Sequence, residues 1–168
     1  MLEGVRSYHV RTQAAVAFAP SQPLQIIDVE LRDPRPDEVL VRLQATGICH
    51  SDIAALDGYN KLGSFPIVLG HEGAGIIERI GTSVTSVAPG DPVVVSPIPQ
   101  CGGCSECLSG RSNLCLDMYR GFSGDGSPFS TMRRPIGRFM HAGTFARHSV
   151  ILESGVSKIR GDAPLDRA

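Results

Sequence analysis

The sequence predicts a mainly β domain, a small barrel or sandwich, with one long irregular lobe. Three observations point there. The apolar stretches are short and β-branched, 19 glycines and 12 prolines divide them, and four of the five cysteines fall between Cys101 and Cys115. Short Val- and Ile-rich runs bounded by Pro, Gly and Asp make strands and turns, whereas a helix needs a longer periodic run without breakers.

In chain order the strand candidates are 24–31 (LQIIDVEL), 38–48 (EVLVRLQATGI), 73–81 (GAGIIERIG), 91–96 (DPVVVS) and 144–152 (TFARHSVIL). The turns RDPRPDE, SVAPGD and SGDGSP separate them. One short helix is expected at 51–56, with Ser51 as its N-cap and Gly58 as its stop. The segment 100–141 is rich in Gly, Ser, Arg and Cys and has little apolar periodicity, so it reads as an irregular lobe that needs an external staple. No internal repeat is visible. GHEGAG at 70–75 opens a strand rather than a helix, and GFSGDG at 121–126 follows no strand. Neither is a dinucleotide-binding fingerprint.

A chain of 168 residues can bury one domain core. With 42% hydrophobic and 20% charged residues it has an ordinary globular composition. The formal net charge of −1 offers no electrostatic basis for binding nucleic acid or an anionic membrane, and neither partner is expected. No apolar run approaches the ~20 residues of a membrane helix. The first residues, MLEGVRSYHVRTQAAVAFAP, carry charges throughout and lack the apolar centre of a signal peptide. A cytoplasmic, reducing location is therefore expected, where clustered cysteines are metal ligands more often than disulfides. The odd cysteine count points the same way.

Cys101, Cys104, Cys107 and Cys115 are spaced C-x2-C-x2-C-x7-C. Such short steps let tight turns aim successive sulfurs at one point, and four soft ligands suit a tetrahedral structural zinc. Gly102 and Gly103 remove bulk there, and Gly110 lets the longer excursion turn back. An iron–sulfur centre is the competing metal reading. Reduced structural thiols, disulfides and a thiol redox switch are the metal-free ones. A zinc bound this way has every position filled by protein, so it serves folding.

The fifth cysteine lies in GICHSD, where Cys49 ends a strand. His71 and Glu72 lie in GHEGAG, at the start of another. A strand end and a strand start can meet at one rim, and a thiolate beside an imidazole makes an incomplete metal site. Asp52 is placed to accept the second ring N–H of His71. Taken singly, a lone Cys on a strand is more often a small core residue, and a lone His a plain hydrogen-bonded one.

The three motifs together, in this order and at these separations, resemble a zinc-dependent alcohol dehydrogenase of the medium-chain dehydrogenase/reductase superfamily. Residues 70–84, GHEGAGIIERIGTSV, fit the family's zinc signature G-H-E-x2-G-x5-G-x2-V. The resemblance covers about residues 12–168, leaving 1–11 as an N-terminal extension. It implies a GroES-like, partly open β-barrel catalytic domain with a structural-zinc lobe at about 97–120. It also implies NAD- or NADP-linked oxidation of an alcohol to an aldehyde or ketone, and a homo-oligomeric parent enzyme. Carried over position by position, Cys49 and His71 match two catalytic zinc ligands, and Glu72 matches a carboxylate that ligates the metal transiently. Ser51 matches the hydroxyl that relays the alcohol proton, Asp52 the partner of the histidine, and His50 the residue that meets the cofactor pyrophosphate.

Two departures stand out. Where many relatives carry the last histidine of the proton relay, this chain has Ala54; the members that lack this histidine include the aryl (benzyl) alcohol branch, which points to an aromatic alcohol. Pro97 and Ile98 stand where relatives place a larger pocket aromatic. The second departure is that the last phrase, GDAPLDRA, leads in the family into the third catalytic zinc ligand and a Rossmann domain. The expectation is a catalytic domain cut at the domain junction, inactive by itself. A stand-alone zinc-binding module without catalysis is the alternative, though such a module needs none of Ser51, Asp52 and Glu72.

Overall fold

The computed structural model describes residues 10–59, 64–118, 126–132 and 134–168. Among these residues β1 (Val10–Ala17), β2 (Gln25–Leu31), β3 (Glu38–Gly47), β4 (Ile67–Val68), β5 (Glu72–Ile80) and β6 (Pro92–Val95) form the first run of strands. After the cysteine lobe come β7 (Phe129–Thr131), β8 (Arg134–Pro135), β9 (Gly137–Arg138), β10 (His148–Leu152) and β11 (Val156–Lys158). The only α-helices among the described residues are short: α1 (His50–Leu56) and α2 (Ser105–Leu108). None of the described helices is long and apolar enough to cross a membrane.

The strands make two sheets, ordered β8-β7-β2-β1-β4-β9 and β10-β3-β5-β6-β11. All pairings are antiparallel except β4 with β9. A seam joins the sheets where residues 145–147 approach β1. There Ala14 bridges Ala146, Ala15 N–H donates to Phe145 O at 2.8 Å, and Arg147 N–H donates to Gln13 O at 2.9 Å. Leu43 N–H reaches Arg147 O at 2.9 Å from the other side. The result is the expected mainly β barrel of GroES-like type, more nearly closed than the partly open barrel expected.

Inside the barrel, Leu40 and Val150 of one sheet pack against Ala14, Val16, Val29, Leu31, Val68 and Phe129 of the other. A second cluster, with Val39, Val41, Ile77, Val93, Val95, Ile151 and Val156, packs among strands of the five-stranded sheet. The first residues of β3 are therefore buried on both faces, which is why this strand opens on an unbroken apolar run. Each such side chain contributes about 1.5–3 kcal/mol. The run is preceded by Glu38, only 2% exposed. Burial works to raise its pKa, but hydrogen bonds from Arg32 and the Arg35 N–H, with the Arg32 charge, outweigh it and hold the carboxyl below its usual range.

Several boundaries differ from those read in the sequence. β1 is a strand although its QAAVA stretch is poor in β-branched residues. Thr12, Ala14 and Val16 point inward, Arg11 and Gln13 outward, and the full ladder to β2 holds it. It begins at Val10, so the last two residues of the 1–11 segment already lie in the sheet. The helix starts at His50 with Cys49, and not Ser51, as N-cap, because the Asp52 carboxylate reaches back to Cys49 N–H and fixes the cap two residues earlier. It stops at Gly58, whose φ of 81° suits glycine. The segment 100–141 is not irregular throughout. Phe129, Ile136 and Phe139 are fully buried and draw its second half back into the barrel as β7, β8 and β9.

Candidate active site

β3 ends at Gly47, which pairs with Glu72, the first residue of β5. Two residues beyond β3, Cys49 caps α1; one residue before β5 stands His71. The ladder thus brings Cys49, His71 and Glu72 to one rim of the barrel. A Cys49 sulfur, a ring nitrogen of His71 and a Glu72 carboxylate oxygen all lie within 4.8 Å of one another.

Asp52 organises this rim. It is 2% exposed and its two oxygens serve three groups. Oδ2 accepts the Cys49 N–H at 3.0 Å. Oδ1 accepts the Gly70 N–H at 2.9 Å and faces His71 Nδ1 at 3.2 Å. With Nδ1 donating to Asp52, the lone pair of His71 Nε2 is left for a metal. Ser51 Oγ lies 3.3 Å from that nitrogen and Glu72 Oε1 4.0 Å from it.

Barrel side chains hold the histidine from behind. Phe139 meets the His71 ring edge-on, with centroids 5.5 Å apart and planes at 76°. Thr144 N–H donates to Gly70 O and Phe145 N–H to Leu69 O, both at 2.9 Å. Gly70 adopts φ of 87°, and a Cβ there would fall 2.5 Å from Thr144 Oγ1, so the tight passage before His71 requires glycine. Phe139 and Thr144 have no counterpart in the sequence reading. They arrive through pairing across the barrel, which no local spacing reports.

The four cysteines of the lobe form a second centre. All five cysteines of the chain are unpaired. The sulfurs of Cys101, Cys104, Cys107 and Cys115 lie within 4.8 Å of one another, with Cys101 and Cys107 at 4.0 Å. A tetrahedral zinc with Zn–S near ~2.3 Å sets its sulfurs about 3.8 Å apart, so the donor set fits such an ion. Backbone N–H groups already point at the sulfurs. Cys104 N–H donates to Cys101 Sγ at 3.3 Å, Cys107 N–H to Cys104 Sγ at 3.5 Å, and Cys101 N–H to Cys115 Sγ at 3.4 Å. The Cys107 and Leu116 N–H groups lower the Cys104 thiol to about 6, and the Cys101 N–H lowers Cys115; desolvation pushes Cys107 up to about 12. Metal ligation takes all four as thiolates.

The remaining sequence candidates lie around these centres. His50 is the exposed first residue of α1. Ala54 is half-buried in the same helix. Pro97 is half-buried and Ile98 41% exposed, between β6 and the cysteine lobe.

Residues 35–161 match the family model of the alcohol dehydrogenase GroES-like domain. The chain belongs to this family. It is thereby a member of the zinc-dependent, medium-chain alcohol dehydrogenase superfamily. Among curated relatives of this GroES-like domain, the class-3 alcohol dehydrogenase of Cereibacter sphaeroides is 44% identical over 165 residues, covering 94% of this chain and 44% of the relative. The S-(hydroxymethyl)glutathione dehydrogenase of Paracoccus denitrificans is 43% identical over 164 residues, with the same coverage. Among solved structures, the benzyl alcohol dehydrogenase of Acinetobacter calcoaceticus superposes with a TM-score of 0.84 at 34% identity, covering 93% of this chain and 43% of that one. The chain spans less than half the length of these relatives.

Proposed function

We propose that this chain is the catalytic domain of an NAD- or NADP-dependent alcohol dehydrogenase with a catalytic zinc at the Cys49–His71 rim and a structural zinc in the cysteine lobe. The observation that supports it is the Asp52 carboxylate, which binds Cys49 N–H, Gly70 N–H and His71 Nδ1 at once. A module that merely held zinc in its lobe has no use for this second, prearranged donor set. The dinucleotide-binding part is proposed to lie outside these 168 residues, since no dinucleotide fingerprint occurs within them and the relatives are more than twice as long.

Cys49 Sγ and His71 Nε2 would hold the zinc, which when bound would supply Lewis acidity toward an alcohol oxygen, and a bound nicotinamide would supply the hydride acceptor. Asp52 keeps the imidazole in the tautomer that leaves Nε2 free. Ser51 Oγ stands beside Nε2 and both donates and accepts, so it can take the alcohol proton and pass it outward. Ala54 offers no ring to receive that proton next, so its exit would use water or another group. His50, exposed at the start of α1, is free to meet a cofactor phosphate.

An aromatic alcohol is the proposed substrate, from Ala54 in place of the relay histidine and from the likeness to a benzyl alcohol dehydrogenase. The higher identity to an S-(hydroxymethyl)glutathione dehydrogenase supports a second reading, a polar hydroxymethyl adduct. The test is NAD(P)H formation by the chain joined to a relative's cofactor domain, with benzyl alcohol and S-(hydroxymethyl)glutathione in parallel. Turnover of benzyl alcohol that is lost in His71→Ala is the expected result. Turnover unaffected by His71→Ala would refute the assignment of the rim, and exclusive turnover of the glutathione adduct would move the substrate to the second reading.

A further inference from the structure

Glu72 belongs to the rim, yet it is the first residue of a strand and its side chain is half exposed. Something must turn its carboxylate toward Cys49 and His71 rather than out to water. Residues directly opposite on an antiparallel ladder project side chains from the same face, with Cβ atoms about 4.5–5.5 Å apart. The residue opposite Glu72 is Gly47. A Cβ built on Gly47 would stand 2.4 Å from Glu72 Oε2 and 3.2 Å from Glu72 Cβ. The Glu72 side chain therefore lies across the end of β3, in the space that a side chain at position 47 would fill.

Resting on the proposed catalytic-metal reading of the rim, we propose that Gly47 is a positioning residue. Its missing side chain lets the Glu72 carboxylate lie over the strand end and reach the ion held by Cys49 and His71. Backbone conformation is not what calls for glycine here, because Gly47 is ordinary extended strand and lies outside the left-handed region. The obstruction nearest to an added methyl is the tip of a flexible side chain. Gly47→Ala should thus be accommodated by displacing the Glu72 carboxylate, with a shift of a few tenths of an ångström to relieve the 3.2 Å approach to Glu72 Cβ and the ladder pairing kept.

The experiment is a Co2+ titration, read by visible absorption, of the chain joined to a relative's downstream segment, which supplies the third ligand that the family resemblance implies. The first equivalent fills the four-thiolate lobe and the second the rim. In the wild type a second equivalent binds. Glu72→Ala and Gly47→Ala each weaken it about tenfold, the scale on which groups supporting a metal site act. The double variant binds it no more weakly than Glu72→Ala alone, since both changes remove the same carboxylate. Circular dichroism and the first equivalent stay as in the wild type. A Gly47→Ala chain that folds only in the Glu72→Ala background would also locate the clash on Glu72 and support the proposal. Wild-type affinity in Gly47→Ala, no effect of Glu72→Ala, multiplied losses in the double variant, or failure of both Gly47 variants to fold would each overturn it. If the wild type takes up only one equivalent, the reading of the rim falls first and this inference with it.

Discussion

The two candidate metal centres are built in opposite ways. The lobe keeps its four donors within fifteen contiguous residues, and its supporting hydrogen bonds are local, three of them from one cysteine's N–H to another's sulfur. The rim takes its donors from the end of β3 and the start of β5, and its support from Asp52 in α1 and from Phe139 and Thr144 on the distant stretch after β9. The lobe has few apolar contacts; Leu108, Leu114 and Leu116 are all largely exposed. On the proposed reading a bound metal would make the structure of the lobe, whereas at the rim the structure makes the candidate metal site.

The strongest way to break that comparison is Cys104→Ser. It removes a proposed thiolate ligand while leaving a hydroxyl that still caps α2 and accepts the Cys107 N–H, so the loss reports on the metal. Structural zinc contributes on the order of 10 kcal/mol to a site of this kind. Metal content is expected to fall by one equivalent, and limited proteolysis to cut within 97–120, while the barrel keeps its strand signal in circular dichroism. A barrel that melts with the lobe would show that the two are not independent.

Next in size is Asp52→Ala, which releases Cys49, Gly70 and His71 together. Loss of one partner from a buried charged network costs about 3–5 kcal/mol. Thermal unfolding should fall accordingly, and rim affinity for a second metal ion should drop about ten- to a hundredfold, with the lobe unchanged. Isothermal titration separates the two sites.

Acid sharpens the contrast further. Because the folded pKa of Glu38 is lowered from 4.5, its contribution is fully present above that value and is lost as pH falls through the folded pKa. Urea midpoints compared at a series of pH values should show wild type losing stability faster than Glu38→Gln on the acid side, and the two converging at the lowest pH. The smallest effect belongs to Arg111→Ala. Its pair with Glu106 at 2.8 Å is on the lobe surface, with the Arg111 side chain 62% exposed, and exposed pairs are worth about 0–1 kcal/mol. Metal stoichiometry should not change.

The same division explains what was legible in the sequence. Cysteine spacing is local, so Cys101, Cys104, Cys107 and Cys115 announced themselves. Cys49, His71 and Asp52 were read as a weak pattern by spacing and as a site only through a family resemblance, because β3–β5 pairing brings them together. The long apolar strands were visible for the same reason as the lobe: their signal is contiguous. β1 was missed because alanines at 14, 15 and 17 carry little strand preference of their own and are held by β2. The return of 129–141 to the barrel was missed because three buried side chains, Phe129, Ile136 and Phe139, are spread among breakers. Gly47 was visible only as a strand residue; that it faces Glu72 is a matter of register.

The β10–β3 pairing, His148 opposite Arg42 through Leu152 opposite Glu38, carries a consequence for the order of events during synthesis. A ribosome delivers residues 101–115 well before residues 148–152. A metal ion can therefore be captured by the lobe while β3, the strand that leads to Cys49, still lacks its outer neighbour. The rim is completed only after the chain has come round to close that side. Of the two ions, the one with no chemical task would be acquired first, and the one proposed to act on substrate would wait for a finished barrel.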